Sequence, residues 1–238
     1  MPPAQSQALS HLAVIIPTFN ERERITRLLK ALSPLREQGA QVVIVDGQSE
    51  DGTMAVLTSG ADQVLAAPRG RAAQMNAGAA AVEQEVLWFL HADSVLSPRL
   101  VSAVCRQLKD LRAWACCDVW IEGRSKSLIV IAFFMNLRSR LTGIATGDQS
   151  LLVRRDAFSS VGGFRCQPLM EDVSISAALR ARYGWPQRLG GRLGTSGRRW
   201  EAGGIWRTQI RMWWLRWRYW RGASPEVLAA SYRPESKG

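Results

Sequence analysis

The sequence predicts an α/β protein with a mostly parallel central sheet and helices on both of its faces. Three observations predict it. Short apolar runs recur at residues 12–16, 41–46, 62–66 and 86–90, helix-compatible stretches lie between them, and the connections are short. Strands alternating with helices call for parallel pairing, and a parallel sheet must be covered on both faces. At 238 residues the chain suffices for one domain with a sizeable core, or for a domain with an appendage.

The first run, LAVII, is expected to stop at Pro17. Asn20, with Glu23 three residues on, reads as a capping box for a helix to about Leu32. QVVIVD (41–46) is a β-branched run ending in an acid, and Asp51-Gly52 opens a helix to about Ser59. Residues 62–66 form a short third strand. Gly70 precedes an alanine-rich helix over 71–82, and 86–90 is a fourth strand. Ser97-Pro98 supplies an N-cap and a first-turn proline for a helix to about Leu108. Farther on, 114–122 and 150–153 read as strands, and 127–141 and 172–182 as helices. Ligands of such sheets bind beyond the carboxyl ends of the strands. Asp46, His91 and Asp93 all fall at those ends.

The formal charge of +11 implies an anionic partner: nucleic acid, an anionic membrane surface or a phosphorylated ligand. No homeodomain, zinc-finger or RNA-recognition pattern supports nucleic acid. The four cysteines form no CxxC pair, so neither a disulfide framework nor a zinc knuckle is expected, and the cytoplasm is the expected compartment. No signal-peptide pattern opens the chain. Its longest apolar run, residues 128–135, is eight residues, against roughly 20 for a membrane span.

The stretches able to carry chemistry are PTFNE (17–21), VDGQSEDGT (45–53), GRAAQMNAG (70–78), HAD (91–93), GDQ (147–149) and MEDVSISAALR (170–180). Each alone has a bland reading. Asp46 can cap a turn, Asp51 and Asp172 can cap helices, Gly70 and Gly78 can shape turns, and His91 can cap a strand end.

Taken in order, these stretches resemble the family 2 glycosyltransferases, enzymes with the GT-A type nucleotide-sugar-binding fold. The resemblance runs from about Ala13 to Arg182. With LRSRLTGIATGDQ, PLMEDV, TSGRRWE and RYWRGASPE added, it extends over nearly the whole chain to a bacterial subgroup, which fixes no particular substrate. The resemblance implies an inverting hexosyltransferase-like enzyme that moves a sugar from a nucleotide-diphosphate sugar to an acceptor hydroxyl. It assigns Pro17, Thr18, Asn20, Glu21 and Asp46 to the nucleotide, with Gly70, Arg71, Gln74, Asn76, His91 and Ala92 around the donor. Many relatives carry a second Asp where this chain has Gly47, which leaves the base open. Arg71 stands at a helix start, where free N–H groups and the helix dipole favour phosphate.

HAD matches the family's Asp-x-Asp position, so Asp93 is the implied ligand of Mg²⁺ or Mn²⁺. One carboxylate suffices when substrate oxygens and water complete the shell. His91 has three readings: a ribose contact, an outer-shell group, or a ligand for a softer ion. Asp172 matches the catalytic base, with Glu171 orienting the site. Asp148 and Gln149 belong to the acceptor side. So, more loosely, do Arg198, Arg199 and Trp200, which resemble the Arg-Trp element of processive relatives. The competing enzyme class is a nucleotidyltransferase, but PTFNERERI lacks the basic glycine-rich loop that class needs after its first strand.

Residues 1–197 are read as the catalytic domain, and 198–238 as a basic, tryptophan-rich helical extension. Residues 198–221 hold seven arginines, one glutamate and six tryptophans. On a helix, Arg207, Arg211, Arg218 and Arg221 form one stripe, and Ile210, Trp213, Trp217 and Trp220 lie on a neighbouring flank. Two readings follow. Either the tail lies on a membrane surface and the acceptor is a lipid or lipid-linked molecule, or its tryptophans pack under the catalytic domain. A non-catalytic membrane-surface or anion-binding protein would use the same tail, but would not need Asp46, Asp93 and Asp172 in register.

Overall fold

The structure, a computed structural model, describes residues 8–57 and 60–232, apart from the side chains of Arg199 and Ala202. The expected helix end near Ser59 and the two chain termini lie outside the described residues.

The element order is β1 Leu12–Thr18, α1 Arg22–Arg36, β2 Gln41–Asp46, α2 Thr53–Leu57, β3 Gln63–Ala66, α3 Arg71–Ala80, β4 Val86–Phe89 and α4 Pro98–Gln107. Then follow β5 Trp114–Glu122, α5 Ser127–Thr142, β6 Leu151–Arg154, α6 Arg155–Ser160, α7 Glu171–Tyr183 and β7 Gln187–Ser196. The chain continues through α8 Arg198–Gly203, α9 Ile205–Trp220 and α10 Pro225–Tyr232. The strands form one sheet in the order β3-β2-β1-β4-β6-β5-β7. β6 runs antiparallel to both of its neighbours, and every other pairing is parallel. The expected fold class is the observed one.

Alternation within the strands gives the sheet two apolar faces, because successive side chains point to opposite sides. Val14, Ile16, Val42, Ile44 and Trp88 pack under α1, α2 and α4. Ile15, Val43, Val45, Leu87 and Phe89 pack under α3, α6 and α7. Neighbouring β1 and β4 diverge in connection, β1 leading away to β2 on one side, so a crevice opens beyond their carboxyl ends.

Local readings that differed have physical reasons. Pro17 does not end β1, which continues to Thr18 paired with Asp46. The ladder to β4 ends at Ile15–Phe89, so the proline's missing N–H costs that ladder nothing. Asn20 is not the cap of α1. Glu21 holds that position, and Asn20 turns left-handed (φ 52°) to accept from the Glu50 N–H at 2.9 Å. Asn tolerates this conformation better than most residues. α1 also runs past Leu32, through Pro34. Ser97 caps α4 as expected, accepting from the Leu100 N–H at 3.2 Å. β7 is absent from the sequence reading because its glycines weaken the strand signal. At Gly191 and Gly194 they admit Leu100 and Trp120, which would lie 2.8 and 2.7 Å from an added Cβ.

Gly78, read as a turn residue, sits inside α3 against the sheet. A methyl there would lie 2.5 Å from Ile15 Cγ2 and 3.0 Å from Val45 Cγ2. In an ordinary helix interior Gly→Ala gains about 1 kcal/mol. Here the crowding reverses the sign: Gly78→Ala is expected to lower stability by about 1–3 kcal/mol, read from the urea midpoint. A variant more stable than the parent contradicts this packing.

Candidate active site

The site begins with the strand ends. Gln74, buried on α3, donates to the carbonyls of Thr18 (2.8 Å) and Val45 (2.7 Å), tying the ends of β1 and β2 together. Gly47 leaves room for it, since a Cβ there would stand 3.1 Å from Gln74 Nε2. A side chain at position 47 would press on that amide, which would have to give by a few tenths of an ångström. Asp46 is 2% exposed, and its two oxygens accept from the Ser49 N–H (2.8 Å) and hydroxyl (2.6 Å). Ser49 Oγ in turn accepts from the Asn20 N–H at 2.9 Å. The loops after β1 and β2 are thereby locked together.

Beyond them two joined hollows open. One of about 350 Å³ is bounded by Pro17, Thr18, Glu21, Gly70, Gln74 and Ala92. The other, of about 300 Å³, is reached past Asp148, Glu171, Asp172, Arg198, Trp200 and Arg216. Glu21, Gly70, Arg71, His91 and Asp93 line both. Gly70 adopts φ 146°, a backbone region closed to residues with a Cβ, and so starts α3 at the junction.

The charges are dense. Burial in the cleft works against the Arg71 cation, but Glu171, Asp148, Asp172 and Asp93 outweigh it and raise its pKa. Burial first, then the neighbouring Asp172 charge, push the Glu171 carboxyl up to about 7, with Arg71 pulling the other way. Asp172 stands in the first turn of α7, where the helix dipole favours an anion. Its Oδ2 accepts from the Gly147 N–H at 2.8 Å and its Oδ1 from the Val173 N–H at 2.7 Å, leaving lone pairs on both oxygens. Met170, just before α7, is buried with φ 65°, a strained conformation for a bulky residue. It is held by Leu215 of α9 and Leu228 of α10. Gly147 faces the His91 ring so closely that an added Cβ would fall on the imidazole.

Some expected site residues are spent on structure. Gln74 lines the first hollow, yet both N–H groups serve backbone carbonyls. Asn76 donates to Phe164 O (2.7 Å) and accepts from Phe164 N–H (3.0 Å), and lines neither hollow. Asp46 lines neither as well. Gln149 is fully buried, accepting from the Thr146 N–H and from Arg138 at 3.3 Å and donating to Cys117 O at 3.4 Å. A fully buried, internally bonded amide is not presented to an acceptor. Asp148 does face the cleft and accepts from Thr195 Oγ1 at 3.1 Å. Trp200 lines it with its indole Nε1 buried and unpartnered. The Arg199 side chain lies outside the described residues.

Sequence reasoning missed Arg216. At about 100° per residue it lies 180° from Arg207, opposite the basic stripe, and that phase is the signal that separates it from the solvent-facing arginines. Burial lowers its pKa against the opposing pull of Asp172 and Asp148, and its Nε is buried without a partner.

The glycosyl transferase family 2 profile matches residues 13–165. The chain belongs to glycosyl transferase family 2. Among solved structures, a mannosyltransferase from Pyrobaculum calidifontis in complex with GDP-Man and Mn²⁺ superposes with a TM-score of 0.61 at 20% identity, covering 93% of this chain and 68% of that one. Glucosyl-3-phosphoglycerate synthase from Mycobacterium tuberculosis, in complex with Mn²⁺, UDP and glucosyl-3-phosphoglycerate, gives 0.57 at 17% identity, covering 77% and 70%. Staphylococcus aureus TarS residues 1–349 with UDP-GlcNAc give 0.61 at 17% identity, covering 78% and 58%. No curated protein sequence matches.

Among the described residues, no group of three or more His, Cys, Asp and Glu side chains converges as a metal cage. At the shared rim stand the carboxylates of Asp93 and Glu21, the latter paired with Arg24, and the imidazole of His91. That set fits a hard divalent cation that completes its shell with substrate oxygens and water.

The raised Glu171 pKa makes a stability prediction. Between its ordinary value of 4.5 and about 7 the folded state holds a proton that the unfolded chain releases, so stability falls as pH rises through that window. Glu171→Gln is expected to flatten that part of the profile, followed by urea midpoints at several pH values. Superimposable wild-type and variant profiles contradict the shift.

Proposed function

We propose that this family 2 enzyme is an inverting, metal-assisted glycosyltransferase using a nucleotide-diphosphate sugar, with Asp172 as general base. The single observation that carries the reading is the anchored carboxylate of Asp172, which shares one cleft with Asp93 and Arg71. The bound GDP-Man, UDP and UDP-GlcNAc of structurally similar enzymes support a sugar-nucleotide donor.

The donor occupies the hollow past Pro17 and Thr18. Asn20 orders its rim, Glu21 and Ala92 line its wall, and Arg71 meets the diphosphate. Asp93 would hold Mg²⁺ or Mn²⁺ with His91 beside it, and the cation would supply positive charge against the charge growing on the departing diphosphate. An acceptor hydroxyl attacks the anomeric carbon while Asp172 takes its proton. The bond from that carbon to the diphosphate oxygen breaks, and its electron pair leaves with the nucleotide. Single displacement inverts the configuration. Glu171, its carboxyl pushed up to about 7 by burial and by Asp172, carries less negative charge beside the base than an ordinary carboxylate, and the Gly147 N–H aims the base.

The acceptor enters from the side of Asp148, Arg198 and Trp200. Trp200 and Arg216 line that side of the cleft, and each carries a buried side-chain N–H without a protein partner. Residues 1–197 act as the catalytic domain, and 198–238 as an extension that completes the acceptor side. The enzyme works in the cytoplasm, in keeping with its four free cysteines, and meets a lipid or lipid-linked acceptor at the inner face of the membrane.

Asp172→Asn is expected to lower kcat by about 10²–10⁴-fold and leave donor affinity intact. Proton NMR of the product anomer is expected to show inversion. Unchanged turnover removes Asp172 from the base role, and a retained configuration overturns the single displacement.

A further inference from the structure

α5 carries a long run of apolar side chains, yet one side of it is uncovered. Six large apolar side chains of α5, among them Ile129, Phe133 and Leu141, are more than a third exposed, with Ile129 71% and Leu141 70% accessible. They share one face, while Leu128, Ile131, Ala132 and Met135 pack on β5 from the other. α9 adds six more, including Trp213, Trp217 and Trp220, the last 80% exposed. The two faces adjoin, Phe134 meeting Trp213 edge-on with ring centroids 6.4 Å apart. Monomeric soluble proteins seldom leave so continuous an apolar surface bare.

Its charge identifies the occupant. Neither helix contains an acidic residue, and α9 carries Arg207, Arg211 and Arg218 on a stripe beside its tryptophans, with Arg221 at its end. Two of these cations lie over exposed indoles, Arg218 over Trp214 at 4.7 Å and Arg221 over Trp217 at 5.6 Å. Tryptophan beside arginine at the edge of an apolar plane suits the headgroup layer of a bilayer, with the apolar side chains beneath. A twofold contact with a second copy would bring the same arginine stripes together without compensating acids.

We propose that the outer faces of α5 and α9 form one docking surface for an anionic lipid bilayer. It deepens, and for its consequence rests on, the reading of the acceptor as lipid-linked. Around α9 the cleft-lining Met212 and Arg216, the exposed tryptophans and the basic stripe follow one another as adjacent sectors, so the bilayer edge lies within a helix width of the acceptor side.

The test uses the full chain with neither donor nor acceptor, so its failure is separate from failure of the transferase reading. Wild-type protein is expected to co-sediment with vesicles containing phosphatidylglycerol and far less with phosphatidylcholine alone. Phe133→Glu combined with Leu141→Glu on α5 is expected to weaken that binding by about tenfold or more, with the melting temperature unchanged. Brominated lipid in the same vesicles is expected to quench wild-type tryptophan fluorescence, a readout that stands even if the variant misfolds. Absence of vesicle binding, equal binding by a folded variant, or binding without quenching overturns the proposal. So does a wild-type dimer that the α5 substitutions split, which would mark the surface as a contact between copies.

Discussion

The amide of Gly147 donates to Asp172, and the side chain that Gly147 lacks leaves the space occupied by the His91 ring. One residue thus joins the loop after β4, which carries Asp93, to the first turn of α7, which carries Asp172. Ser176 repeats the attachment one turn on, donating to Ala145 O and accepting from Ala145 N–H at 3.1 Å each. Without this junction Asp93 and Asp172, the proposed cation ligand and base, would be set by two separate segments. Positioning is where much of catalysis lies, and small displacements of reacting groups are costly.

The junction is stiffened from below by the tail. Leu215 and Leu228 clamp Met170 in its strained conformation directly before Glu171, so α9 and α10 help fix the start of α7. The same α9 sends Arg216 into the cleft and exposes its tryptophans on another flank. The packing reading of the tail is met only in part: Leu215 and Leu228 pack with Met170, but most of the tail's tryptophans are exposed. One helix serves core, cleft and surface on three sectors because 3.6-residue periodicity separates them.

The alternating half of the fold was legible because its strands are β-branched runs with clear breaks, and the motifs on their ends then located the cleft. Residues whose amides are taken up within the fold were not legible: Gln74, Asn76 and Gln149 look the same in sequence whether they face a ligand or the protein's own groups. β7 escaped because glycine carries no β signal, although glycine is what its close packing requires. Arg216 was hidden among seven arginines and distinguished only by phase. His91 gains meaning only beside Gly147, a partner more than fifty residues away in sequence and in contact only through the fold.

The central claim is a metal-bound sugar nucleotide held at Asp93, within reach of the base at Asp172. The most direct measurement is thermal stability with UDP-, GDP-, CDP- and dTDP-sugars, each with and without Mn²⁺, for wild type and Asp93→Asn. Ligands that bind the folded state alone raise its stability, by about 2.7 kcal/mol at a hundredfold excess over Kd. The account predicts a Mn²⁺-dependent rise with at least one donor in the wild type and its loss in Asp93→Asn. No metal-dependent rise with any donor, or a rise that survives the substitution, contradicts it.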